Sequence, residues 1–172
     1  MTSDSSSLTT TRPAAPAPDA DAPATPAPGV QLTVSATTVA TSPAAEVRSP
    51  AGSRWSLAAN GSAPSPMEAL LGALAACQVL TYQHWAARLG LALEECQATV
   101  HGRFDPRGFQ GDPAASGVGF SDLRVIVHLR GPEPAERYQA LADEVDRHCP
   151  VHDTLGHGVP IDRVLEVRPG RD

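Results

Sequence analysis

The sequence predicts an α+β fold, and three observations carry that prediction. Period-two alternation of apolar residues recurs near the start of the domain and in mid-chain, two long segments place apolar residues at helical spacing, and strands and helices do not alternate as repeated βαβ units. The chain has 172 residues, 41% apolar and 19% charged. Only 4% are aromatic, so the core has to be built from Ala, Val and Leu, whose small volume favours close approach of helices.

Residues 1–29 stand apart, Ser/Thr-rich and then Ala/Pro-rich with no aromatic residue, a composition that cannot bury enough apolar surface to offset the entropy of ordering. A disordered tail is expected there and one domain over 30–168. The tail has neither a basic n-region nor an apolar h-region, so it does not read as a secretory signal, and a cytoplasmic protein is expected.

Each element follows from local signals. From Gln31, the alternation Leu32, Val34, Ala36, Thr38 predicts a strand. Short segments around Val47 and Trp55–Leu57 flank Ser49-Pro50-Ala51-Gly52-Ser53, which predicts a hairpin. A helix starts at Ser65, with Pro66 at the first helical position and Glu68 three residues after the cap to complete a capping box; it runs to about Leu89 and Gly90 stops it. Its expected buried stripe is Leu70, Leu71, Leu74, Cys77, Thr81 and Trp85. Two strands follow, one with Cys96, Ala98, Val100, Gly102 and Phe104 on one parity, the other with Leu123, Val125, Val127 and Leu129, separated by a loop from Asp105 to Ser121. A second helix is expected over about Glu133 to His148, with Tyr138, Leu141, Ala142, Val145 and then Cys149 on one face, ended by Pro150. A last strand, Ile161–Val167, closes the chain.

Charge excludes some function classes. The formal net charge is −6 and no basic run occurs, which argues against nonspecific binding to nucleic acid or to an anionic membrane. The longest charge-free apolar stretch, Ala69–Leu80, falls short of the roughly 20 residues that span a bilayer.

Chemistry centres on three cysteines, too few and too widely spaced for a disulfide scaffold. Cys96 shares strand parity with Val100 and Phe104 and reads as a small core hydrophobe. Cys77 and Cys149 each lie on the apolar stripe of a helix, so they are either packing residues or a pair that meets where the helices cross. His148-Cys149-Pro150-Val151-His152 places Cys and His at a metal-compatible spacing, but zinc needs two further ligands, and Cys77, His84 and His157 form no recognised spacing with it. No metal site and no cofactor is expected. His84 lies on nearly the same helix face as Cys77 but about 10 Å along the axis, too far for a Cys–His hydrogen bond.

The stretch Pro64-Ser65-Pro66-Met67-Glu68-Ala69-Leu70-Leu71-Gly72-Ala73-Leu74-Ala75-Ala76-Cys77, the following Thr81-Tyr82 and Ala86-Ala87-Arg88, the segment Gly102–Phe109, and Cys149-Pro150-Val151-His152 with Thr154-Leu155 resemble the OsmC/Ohr proteins, the osmotically induced and organic-hydroperoxide-resistance family. The likeness covers about Val47–Val167. It implies an antiparallel sheet with two central helices in an intertwined homodimer, and a two-cysteine peroxidase acting on organic hydroperoxides. By the same resemblance Cys77 matches the peroxidatic cysteine and Cys149 the resolving one, with an external dithiol, lipoyl-type in the Ohr branch, as reductant.

Two positions depart from that pattern. The family's catalytic members carry a glutamate directly after the helix-start proline, where this chain has Met67, and Glu68 lies on the opposite side of the helix from Cys77. The resemblance also implies an arginine from the N-terminal β-region beside the peroxidatic sulfur. Arg48 and Arg54 lie in that region, neither at the family's spacing, and each also reads as a solvated strand or turn residue. The competing expectation is therefore a non-peroxidatic, OsmC-like protein that senses redox state or binds a small ligand.

Overall fold

The computed structural model describes residues 30–39 and 41–167. The expected tail, 1–29, lies outside the described residues. By its internal contacts the chain divides between Thr33 and Val34. Of the first unit only 30–33 are described, and they carry no regular structure.

Among its described residues the second unit holds nine elements: β1 (Ser35–Thr37), β2 (Ala44–Arg48), β3 (Arg54–Ala58), α1 (Pro66–Arg88), β4 (Glu95–Phe104), α2 (Pro106–Phe109), β5 (Phe120–Arg130), α3 (Ala135–His148) and α4 (Pro150–His157). Among the described residues the strands form two antiparallel sheets, β1-β2-β3 and β4-β5. The α+β expectation holds.

The predicted hairpin is present, with Val47 opposite Trp55 and Arg48 opposite Arg54, closed by the Ser49–Ser53 turn. The strand expected from Gln31 shrinks to β1, three residues paired to β2. In the second sheet Cys96 faces Leu129 and Val100 faces Val125 along ten paired positions, with a register shift at Arg103/Phe104.

Helix α1 begins as its sequence dictates. Glu68 N–H donates to Ser65 Oγ at 3.1 Å and Ser65 N–H donates to Glu68 Oε2 at 2.7 Å, a complete capping box. At the other end Gly90 adopts φ +64°, a left-handed conformation that glycine enters without a Cβ clash, and the helix stops.

The buried stripe of α1 is Leu74, Gln78, Tyr82 and Ala86. Only Leu74 belongs to the predicted set; Leu70 is exposed, while Cys77, Thr81 and Trp85 flank the stripe half-buried. The helix is turned by about one residue because Tyr82 and Ala86 join Leu91, Leu141, Val145 and Cys149 in the core cluster, with Val127 and Leu129 of β5 against it. Leu141, Val145 and Cys149 are the largest fully buried side chains. Each Leu or Val so buried contributes about 1.5–3 kcal/mol relative to exposure. Cys96 packs against this cluster, as its strand parity predicts, and burial pushes its thiol pKa up.

Four further expectations are corrected. Helix α3 starts at Ala135 rather than Glu133, because Glu133 is engaged outside it: its carboxylate accepts the Ala92 N–H at 3.1 Å and pairs with Arg137 at 2.7 Å. Pro150 does not merely end α3; it opens α4, where a missing N–H costs nothing at the first helical position. The Asp105–Ser121 loop contains α2, capped by Asp105 accepting from the Arg107 N–H at 3.0 Å. The strand expected over Ile161–Val167 is absent, since none of the described strands pairs with that segment, and Ile161 is left 91% exposed.

Candidate functional site

Cys77 and Cys149 come from different elements and meet. Cys77 sits half-buried near the middle of α1, beside the Gln78 stripe, and Cys149 occupies the joint between α3 and α4. That joint is bent because Pro150 follows it: Cys149 leaves helical geometry at φ −80°, ψ 107°. Its N–H still donates to Val145 O at 2.9 Å and its C=O accepts from Asp153 N–H at 3.0 Å, so both helices hold it.

The two sulfurs differ in access. Cys149 is 0% exposed, inside the core cluster. Cys77 lines an open groove of about 370 Å³ together with Leu80, Thr81, His84, Trp85, His148 and Pro150. Leu80 is 63% exposed, so this apolar wall reaches the surface. Trp85 stacks on His148 with ring centroids 4.2 Å apart, and the Arg88 guanidinium lies 5.4 Å over the Trp85 ring. A second cavity of about 490 Å³ lies on the Leu70–Leu74 side of α1, against the start of β5 and α4, with His152 in its wall.

Burial pushes the Cys149 thiol pKa up, and the adjacent Cys77 thiol adds to the rise; the His152 backbone N–H and the Thr81 hydroxyl act in the opposite direction. Cys149 therefore keeps its proton at neutral pH and faces Cys77 as a thiol. It does so without a formed side-chain cap bond to α4.

The residues around the pair are held in turn. Thr81 Oγ donates to Cys77 O at 2.7 Å. Gln78, 2% exposed, is the one buried polar residue among the described residues, and its Nε2 lies 3.3 Å from His152 Nδ1. His152 Nδ1 also lies 3.6 Å from Asp146 Oδ1. His148 Nδ1 is 2.8 Å from Glu144 O, within α3.

Of the residues singled out from sequence, Cys77 and Cys149 come together and His84 shares the groove wall. Arg48 and Arg54 do not line the groove; Arg48 pairs with Glu46 on its own strand, and Arg54 faces Arg48 across the hairpin. Met67 sits half-buried in the first turn of α1, about 15 Å of helix rise from Cys77. Sequence reasoning missed Gln78 and read Thr81 only as a stripe residue, although Thr81, four residues after Cys77, is its neighbour on the helix face. Among the described residues, no group of three or more His, Cys, Asp or Glu could hold a metal ion, and no helix is long and apolar enough to cross a membrane.

Comparison with known proteins identifies the fold and the family. A hydroperoxide reductase of Mycoplasma genitalium is 27% identical over 95 residues, 55% of this chain and 62% of the relative, so the match spans less than two thirds of that protein. Among solved structures, an OsmC-like protein from Mycoplasma pneumoniae superposes with a TM-score of 0.65 at 20% identity, covering 75% of this chain and 89% of its own. An organic hydroperoxide resistance protein OsmC from Legionella pneumophila gives 0.56 at 18% identity, covering 75% and 90%. At these identities the two structures share the fold. The family model for OsmC-like proteins matches residues 59–163, more than half of the chain and both cysteines of the pair, and the chain belongs to the OsmC-like family.

Proposed function

We propose that the protein is a thiol-dependent peroxidase that reduces organic hydroperoxides, with Cys77 attacking and Cys149 resolving. The observation that carries this reading is the asymmetry of the pair: one sulfur opens into a groove and the other, fully buried, stands directly behind it as a thiol.

In the first step the Cys77 thiolate attacks the distal oxygen of ROOH. The O–O bond breaks, the alkoxide leaves and takes a proton as ROH, and Cys77 becomes a sulfenic acid. In the second step Cys149 attacks the Cys77 sulfur. The S–O bond breaks, an S–S bond forms, and the departing hydroxide takes the thiol proton as water. An external dithiol, lipoyl-type or another, then reduces the disulfide and is itself oxidised. The groove walls of Leu80, Trp85 and Pro150 suit an alkyl or lipid hydroperoxide better than hydrogen peroxide.

A homodimer working in the cytoplasm completes the proposal, with 30–168 as its domain. Exposed Leu80 and the exposed apolar run Val159, Ile161, Val164, Leu165 and Val167 are surfaces that a lone protomer would leave in water. A thiolate-stabilising cation, Arg48 or Arg54, would then have to reach Cys77 from elsewhere in the dimer. Met67 favours the second reading, a non-peroxidatic redox-sensing or ligand-binding protein, because a thioether supplies no charge to orient such an arginine.

Peroxide consumption decides between them. Cumene or tert-butyl hydroperoxide should be consumed by wild type with dihydrolipoamide or another dithiol, and not by Cys77→Ser. Equal consumption by the two proteins under every reductant would overturn the enzyme reading.

A further inference from the structure

We propose that Gln78 and His152 are positioning residues for the Cys77–Cys149 pair, and that a proton taken up by His152 releases them. The consequence for peroxide turnover rests on the peroxidase reading; the contact and its release do not.

Gln78 follows Cys77 and lies on the buried stripe of α1, and His152 stands in the first turn of α4, three residues after Cys149. Their side chains meet at 3.3 Å, amide Nε2 against imidazole Nδ1. An amide nitrogen can only donate, so Nδ1 is the acceptor here and carries no hydrogen; neutral His152 keeps its hydrogen on Nε2. The two ends differ in access. Gln78 is 2% exposed, whereas the His152 side chain is 43% exposed, so a proton can reach the imidazole while the amide stays in the core.

That proton binds Nδ1 and ends its capacity to accept. The Gln78 amide hydrogens then face another N–H, and the contact turns repulsive. A replacement partner is at hand, because Asp146 Oδ1, on α3, lies 3.6 Å from the same nitrogen. The other charges nearby are engaged: Asp122 of β5, which shares a cavity wall with His152, pairs with Arg103 at 3.7 Å, and Asp153, next on α4, pairs with His157 at 3.1 Å. Cys149, one turn back, is kept a thiol by burial. Protonation thus moves His152 from a partner on α1 to one on α3, and α4 loses this tie to the helix that carries Cys77. A disulfide draws the same two segments together, so by linkage the tie favours the disulfide and the disulfide favours the tie.

The test needs no peroxide. Wild type is compared with His152→Asn, whose Oδ1 takes the place of Nδ1 as an acceptor that does not protonate. Both are equilibrated with a dihydrolipoamide/lipoamide mixture from about pH 8 to about pH 5, the range in which histidine changes charge, and the Cys77–Cys149 disulfide is quantified by alkylation and mass spectrometry. The two proteins should match at the alkaline end. At the acid end wild type should hold about fivefold less disulfide relative to dithiol, the worth of one hydrogen bond, and His152→Asn should stay level. His152→Ala should show the low ratio throughout, and Asp146→Asn, which removes the second partner, should move the transition to lower pH. In reduced wild type the side-chain amide resonances of Gln78 should titrate with the same midpoint, a readout that stands even where a His152 variant fails to fold. A disulfide that is absent at every pH, a ratio that follows one course in wild type and His152→Asn, or Gln78 resonances that ignore pH would each overturn the proposal. If peroxide oxidises Cys77 in no protein while the lipoamide ratio still follows pH, the peroxidase reading alone falls.

Discussion

The side-chain amide of Gln78 meets the imidazole of His152 at 3.3 Å, tying the residue after Cys77 on α1 to the first turn of α4 after Cys149. Gln78 is buried in the core, and His152 stands in the first turn of α4, three residues after Cys149. The contact thereby sets how closely the two cysteine-bearing segments lie.

Removing either partner should loosen that tie. His152→Ala strands a buried amide and should cost about 1–3 kcal/mol in urea unfolding, whereas the double variant Gln78→Leu/His152→Ala, which removes both polar groups, should cost less than the sum of the singles. Additive losses would mean that the pair is not coupled.

The cysteines should separate by role. In Cys149→Ser, a peroxide pulse should leave a long-lived dimedone-reactive Cys77. Cys96→Ser should still form the Cys77–Cys149 disulfide, because Cys96 lies on β4 opposite Leu129 and its thiol pKa is raised by burial. Mass spectrometry of tryptic peptides reads both outcomes.

The start of α1 should be sensitive to acid. Ser65→Ala removes one half of the capping box and should lower stability by about 1 kcal/mol. The bonds from Ser65 hold the Glu68 carboxyl below its ordinary pKa, so the stabilisation is present above the unfolded-state value and is lost as pH falls through the folded one. Thermal melts from pH 6 to pH 3 should therefore converge for wild type and Glu68→Gln.

Alkaline behaviour has the opposite sign. Burial, with Asp146 next, pushes the Tyr82 phenol up to about 12 from 10. Its contribution to stability is complete below pH 10 and is lost as pH rises from about 10 towards about 12. In ultraviolet titration at 295 nm the last tyrosine to ionise should vanish in Tyr82→Phe, and persistence of that late step would contradict the assignment.

Sequence alone made much of this legible where one local signal dominates. Ser65, Pro66 and Glu68 announce the start of α1, Gly90 its end, and alternation marks β4 and β5, because caps and periodicity act within a few residues. The rotation of α1 was not legible: Gln78 and Tyr82 are buried only because α3 and the second sheet come to that side, a long-range effect that overrides a simple apolar stripe. The strand expected over Ile161–Val167 is absent for a related reason, since a strand needs a partner edge as well as apolar residues. The meeting of Cys77 with Cys149 was a matter of two stripes and their crossing. Which sulfur is reachable depended on Pro150 bending the chain between α3 and α4, and that emerged only in three dimensions.

Trp85 gives the pair a built-in optical gauge. Its indole is stacked on His148, the residue before Cys149, and forms a wall of the groove into which Cys77 opens. Drawing Cys149 towards Cys77 would pull on that stack, and an imidazole that shifts against an indole changes its emission. With Trp55, the other tryptophan, replaced by Phe, closing and reopening of the disulfide becomes a single-chromophore signal, and both half-reactions can be timed in unlabelled protein.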